Sequence, residues 1–102
     1  MVRLNIKNID SGHSLVILSG ELDTAATEQF ADDLAPLMEG EGKEITVDLT
    51  ELEFISSAGM RMLLKLNKNA SATGGKVILK GMSDDIKQIF QLTGLDNMFE
   101  IV

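Results

Sequence analysis

Apolar and polar residues roughly alternate over Leu4, Ile6 and Ile9, and the chain then runs apolar without a break through Leu15-Val16-Ile17-Leu18. Alternation marks a strand with one exposed face, and a short continuous run marks a buried strand. With the turn formers Ser11-Gly12-His13-Ser14 between them, the two segments predict a β-hairpin. After Glu21-Leu22 the period changes. Ala26, Phe30, Leu34, Leu37 and Met38 fall on one helical stripe, with Asp23 or Thr24 as its cap. Pro36 has no N–H for the carbonyl of residue 32, which predicts a kink or an early last turn before Gly40 and Gly42 close the helix.

Ile45-Thr46-Val47-Asp48-Leu49 reads as a third strand. A second helix is expected from Ser57 to about Ala72, with Gly59, Leu63, Leu66 and Ala70 on one side, Met60 and Leu64 flanking, and Gly74-Gly75 as the stop. Val77-Ile78-Leu79 forms another buried strand. Ser83 then caps a third helix that carries Asp84 and Asp85 in its first turn and turns Ile86, Ile89 and Phe90 inward. Gly94 has the place of a left-handed stop, with Leu95 folding back onto the helix. Met98, Phe99, Ile101 and Val102 supply an apolar tail that packs as a short strand or turn.

A hairpin followed by two strand–helix–strand units predicts an α/β fold: a mixed, mainly parallel sheet of four to five strands packed with three or more helices. No repeat or linker divides residues 1–102, so a single domain is expected. Loops at the carboxyl ends of parallel strands share one edge, where open α/β sheets place their sites. The loops carrying Asp23 and Ser57 are therefore expected to be neighbours.

Composition narrows the function. The formal net charge of −7 opposes nucleic-acid binding, which needs a basic face, and suits a basic partner surface. The absence of cysteine excludes disulfides, thiolate metal sites and Cys nucleophiles. No apolar stretch approaches the roughly 18 residues of a membrane span and no signal core opens the chain, so a cytoplasmic protein with no membrane partner is expected. With Trp and Tyr absent, an aromatic platform for sugars or bases is not expected.

No catalytic constellation emerges, and no cofactor or metal is expected. His13, the one histidine, sits in the hairpin turn with no orienting group near it in sequence, so a Ser/His/Asp arrangement is not supported. The pairs Asp32-Asp33 and Asp84-Asp85 are adjacent on helices and read as solvated faces. Gly40-Glu41-Gly42-Lys43 and Gly74-Gly75-Lys76 lack phosphate-loop spacing.

What remains is Phe54-Ile55-Ser56-Ser57-Ala58-Gly59, two serines where a strand-derived segment becomes a helix. A helix N-terminus welcomes a serine oxygen as a cap, and equally welcomes a phosphate. Phosphorylation of Ser57 would add about −1.5 to −2 charges there, with Arg61 one turn further on to pair with them. Ser56 follows Ile55 in a segment anchored by Phe54, so Ser57 is the expected acceptor. Gly59 leaves the first turn bare for close approach by another backbone, and Met60 either adapts to an apolar partner or fills the core. Asp23 offers either a cap or an acidic recognition group.

Three segments carry a family resemblance: Gly20-Glu21-Leu22-Asp23, Val47-Asp48-Leu49 through Phe54-Ile55-Ser56-Ser57-Ala58-Gly59-Met60, and Phe90-Gln91-Leu92-Thr93-Gly94-Leu95 with Phe99 and Ile101. The chain resembles the STAS domain family, specifically the small anti-sigma factor antagonists of bacteria, over essentially its whole length. The resemblance implies a non-catalytic binding protein regulated by phosphate on the serine two residues before the glycine, here Ser57. The unmodified form would bind an anti-sigma factor that is also a serine kinase and free a sigma factor; the phosphorylated form would let go, and a phosphatase would reset it. Two positions depart from the usual pattern. Ser56 stands where many antagonists have Asp, which makes it a second possible acceptor, and Ala58 stands where Ser or Thr is more usual. The partner surface then comprises Asp23, Thr24, Ser56, Ser57, Ala58, Gly59, Met60 and Arg61. The alternative is a constitutive STAS interaction subunit of a signalling or lipid-transport assembly, with the serine only a cap.

Overall fold

The computed structural model describes residues 3–10, 12–38 and 44–102. Strands β1 (Arg3–Asp10) and β2 (His13–Leu22) form the antiparallel hairpin. Helix α1 (Thr24–Met38) leads to β3 (Glu44–Ile55), helix α2 (Ser57–Ala72) to β4 (Lys76–Lys80), and helix α3 (Asp84–Thr93) to β5 (Glu100–Ile101) through a 3₁₀ turn at Leu95–Met98. The sheet order is β1-β2-β3-β4-β5, and every pair after the hairpin is parallel. This is the expected mixed, mainly parallel sheet. Ser11, Gly40 and Gly42, assigned to turns from the sequence, lie outside the described residues, as do the side chains of Leu34, Pro36, Leu37 and Met38. Helix α1 runs two residues past Pro36.

Each strand–helix–strand crossover moves one strand in the same direction. Such crossovers are right-handed almost without exception, so all three helices fall on one face of the sheet. The strands record this asymmetry. Val16, Leu18, Ile45, Val47, Leu49, Val77 and Leu79 are buried, while Leu15, Ile17, Thr46 and Ile78, which alternate with them, are only half-buried. The run Leu15–Leu18 is thus half of an alternating strand, not a strand covered on both sides. β2 is also longer than that run, because Glu21-Leu22 continues its pairing with β3.

The helix side closes over one core. Leu63, Leu66 and Ala70 of α2, Phe30 of α1, and Ile86 and Phe90 of α3 meet the buried strand residues there. Phe90 stacks on Phe99 with ring centroids 5.9 Å apart, which ties α3 to the tail. Ser83 accepts the Ile86 N–H, and Gly94 ends α3 with φ 73°. Ile9 sits at a register shift of β1 and is exposed instead of continuing the alternation of Leu4 and Ile6.

β3 is the main departure from expectation: it runs to Ile55, six residues beyond Leu49. Its buried positions step by two over Ile45, Val47 and Leu49, then by three over Leu52 and Ile55. Each longer step coincides with a register shift against β2, where β3 has one residue more than its partner. These are β-bulges, which bend and twist a strand. At the second, Gly20 takes φ 86°, a conformation that glycine adopts without steric cost. At the first, Asp48 Oδ1 accepts hydrogen bonds from Thr50 Oγ1 at 2.6 Å and Thr50 N at 3.0 Å. β4 pairs only with Glu44–Asp48, and among the described residues β1 pairs with β2 as far as Ser19. Beyond Asp48, β3 runs on past β4 and stays paired with β2 as a parallel ribbon up to Leu22 and Ile55.

The Thr50 hydroxyl, then its N–H, hold the Asp48 carboxyl below the usual carboxylate range against a smaller opposing push from burial, and the charge of Lys80 adds the least. A carboxyl lowered on folding stabilises the fold fully above its unfolded pKa and loses that contribution as pH falls through the folded value. Asp48→Asn should therefore lower the urea midpoint at pH 6, with the gap to the parent shrinking below about pH 4. A gap of equal size at pH 6 and pH 3 would remove Asp48 ionisation from the cause.

Candidate functional site

The site lies where the ribbon ends. Leu22 pairs with Ile55, and the Ser56 N–H donates to the Leu22 carbonyl at 2.9 Å, so the last strand residues before α1 and α2 are locked side by side. The Asp23 and Ser57 loops are neighbours, as the topology requires. Asp23 caps α1: its Oδ1 accepts the Ala26 N–H at 2.9 Å, and its carbonyl accepts both the Thr27 hydroxyl and the Thr27 N–H. Asp23 and Thr24 remain exposed.

The two serines divide the work at the start of α2. Ser56, half-buried, is the N-cap, and its Oγ accepts the Gly59 N–H at 3.1 Å. Ser57 is the first helical residue and is exposed. Serine caps a helix as well as aspartate does, so Ser56 fully meets the structural demand of this position. Ala58 is half-buried, and Arg61, one turn on, is exposed.

Gly59 and Met60 face the other way. A Cβ built on Gly59 would stand 3.0 Å from Ile55 Cγ1 and 3.0 Å from both Cγ and Cδ2 of Leu22. The close approach that this glycine permits is between its own helix and the ribbon beneath, and it corrects the expectation of a bare turn open to a partner's backbone. Met60 is buried in the core, which decides between its two readings. The exposed part of the anticipated surface is thus Asp23, Thr24, Ser57 and Arg61, with Ser56 and Ala58 at its margin.

Phe54 is corrected too. Its side chain is 46% exposed, and Ile55 is the residue that anchors this segment in the core. Phe54 pairs with Glu21 across the ribbon. The three-residue step from Leu49 to Leu52 to Ile55 was the available sign that Glu53 and Phe54 face outward. His13 opens β2 and lies 3.4 Å from Glu44 at the far end of the sheet, separated from Leu22 by about 30 Å of strand at 3.3 Å per residue. It cannot serve Ser57 as a base.

Comparison with known proteins agrees with this fold. The family described as "Mlab, STAS domain" matches residues 7–102. The chain belongs to the STAS domain family. Among curated relatives, the anti-sigma-B factor antagonist of Listeria monocytogenes is 27% identical over 98% of this chain and 88% of its own length. The anti-sigma-B factor antagonist of Bacillus subtilis is 26% identical over 84% of this chain and 78% of its own length. Among solved structures, the anti-sigma factor antagonist SpoIIAA in its unphosphorylated form superposes with a TM-score of 0.84 at 24% identity, covering 98% of this chain and 88% of that one. The phosphorylated form of SpoIIAA, a Bacillus cell-fate determinant, gives 0.77 at the same identity, covering 98% and 91%. These relatives are named for regulatory binding and not for a catalysed reaction. Among the described residues no helix is long and apolar enough to cross a membrane.

The packing of Gly59 is directly testable. Gly59→Val should destabilise the protein by about 1–3 kcal/mol through overpacking against Leu22 and Ile55. Urea unfolding monitored by circular dichroism measures this; an unchanged midpoint would mean that the helix and ribbon are not in close contact.

Proposed function

We propose that this protein is an anti-sigma factor antagonist whose unphosphorylated form binds an anti-sigma factor serine kinase and so releases a sigma factor. Phosphorylation at Ser57 switches that binding off, and a phosphatase restores it. The observation that carries the reading is the division of labour between the serines: Ser56 supplies the cap, and the exposed Ser57 hydroxyl is left for chemistry. The curated relatives, anti-sigma factor antagonists along most of their length, support the class.

In the transfer, Ser57 Oγ would attack the γ-phosphorus of ATP, lose its proton and take the phosphoryl group, and ADP would leave. Hydrolysis by the phosphatase would return serine and inorganic phosphate. At the first position of α2 the new dianion meets unpaired N–H groups and the positive end of the helix, while Arg61 is one turn away. The modified form therefore keeps its fold. Release follows from bulk and charge at the docking point, where the partner would have to desolvate a phosphate.

Incubation with kinase and ATP, followed by mass spectrometry, should locate phosphate on Ser57 and find none in Ser57→Ala. Label at Ser56 would overturn the assignment. Ser57→Asp should abolish kinase binding; undiminished binding would favour the constitutive interaction subunit instead.

Asp23 adds a second test. Asn caps a helix as well as Asp does, so Asp23→Asn keeps α1 intact and removes only the charge. A contribution to recognition predicts faster dissociation or slower association with the kinase at low salt, read by surface plasmon resonance. Unchanged kinetics with an unchanged melting temperature would confine Asp23 to capping.

A further inference from the structure

We propose that Phe54 anchors the docking surface, inserting into an apolar pocket ringed by basic side chains on the partner protein; this rests on the reading that an anti-sigma factor kinase docks at Ser57. Phe30, Phe90 and Phe99 are each no more than 9% exposed, whereas Phe54 is 46% exposed. Leu52 and Ile55 on either side, not Phe54, fill the ribbon's covered face. An exposed aromatic in a rigid segment is the type of residue that dominates protein interfaces. Its mounting is rigid because Leu22 and Ile55 are clamped beneath Gly59.

The surroundings state the partner's chemistry. Glu21 lies directly across the ribbon from Phe54, Glu53 precedes it, and Glu51 and Asp23 lie further along the same two strand ends; all four are exposed. No lysine or arginine occurs from Leu18 to Thr24 or from Leu49 to Met60. Among the described residues, ion pairs join His13 to Glu44 and Lys76 to Glu100, far from the ribbon. Four exposed carboxylates on the same two strand ends as one exposed phenyl group complement a pocket with a basic rim.

The ribbon and the acceptor then act as separate zones. Phe54 and its carboxylates meet protein, and Ser57, three residues on, meets nucleotide phosphates. Phosphate on Ser57 would oppose the ADP phosphates in front of it and crowd the contact, while the basic rim beside Phe54 is unchanged. An anchor of this kind sets affinity without entering the phosphoryl transfer.

The test uses the full-length protein, the purified anti-sigma factor kinase of the same organism, and ADP or ATP. Phe54→Ala should weaken kinase binding at least tenfold by calorimetry and raise the half-saturating concentration for Ser57 phosphorylation. The maximal rate and the melting temperature should stay close to those of the parent. The charge reversals Glu21→Lys and Glu53→Lys, both at exposed positions, should weaken binding more at low salt than at high salt, and they decide the matter if Phe54→Ala does not fold. Parent-like binding by Phe54→Ala, alongside lost binding by Ser57→Asp, would overturn the anchor and leave the functional reading standing. A kinase that fails to bind the parent protein would overturn both.

Discussion

The packing of a single hydrogen atom governs the geometry of the site. Gly59 allows the first turn of α2 to lie on Leu22 and Ile55, the paired last buried residues of β2 and β3, at a distance where even a methyl group would be compressed. That contact fixes where the helix begins. It brings Ser56 beside the Leu22 carbonyl, to which its N–H donates, and directs its hydroxyl to the Gly59 N–H. Ser57 then has to be the first residue on the outside of the turn. A larger residue at position 59 would lift the helix and move Ser57 relative to Asp23, so packing and presentation are one constraint here.

The sheet explains why this constraint acts at an edge. Three crossovers of one hand place all the helices on one face, so the strand ends carry the loops and the helical N-termini together. Two bulges lie where β3, still paired with β2, runs past the end of β4. The β2–β3 ribbon carries the Asp23 and Ser57 loops past the end of β4. The same extension exposes Phe54 opposite Glu21, which a shorter β3 would not do.

Elements with a clean period were legible in the sequence. The stripe Leu63, Leu66 and Ala70, the Ser83 cap and the Gly94 stop each follow from local chemistry and appear where that chemistry puts them. The adjacency of the Asp23 and Ser57 loops followed from topology alone. Thr50–Ile55 was not legible as strand, because the bulges replace alternation with steps of three and mimic a polar loop. The inward direction of Gly59 was equally hidden: a glycine that admits a partner and one that admits its own sheet look alike until β3 is known to reach Ile55. Met60 was ambiguous for a related reason, since its place next to Gly59 on the helix follows from which way the glycine faces.

The depth of these contacts bears on how a charge added at Ser57 would act. Beneath it, Leu22, Ile55, Gly59 and Met60 are buried and closely packed, and cores of this density resist small continuous displacement. Above it lies solvent. The helix N-terminus lowers the electrostatic cost of a dianion, so little free energy is available to drive a repacking of the layers below. A stimulus that is cheap locally and cannot propagate inward must be read from outside, by whatever surface approaches the ribbon end. Under the proposed function the switch therefore belongs to the interface, and the domain itself serves as a rigid mount for it.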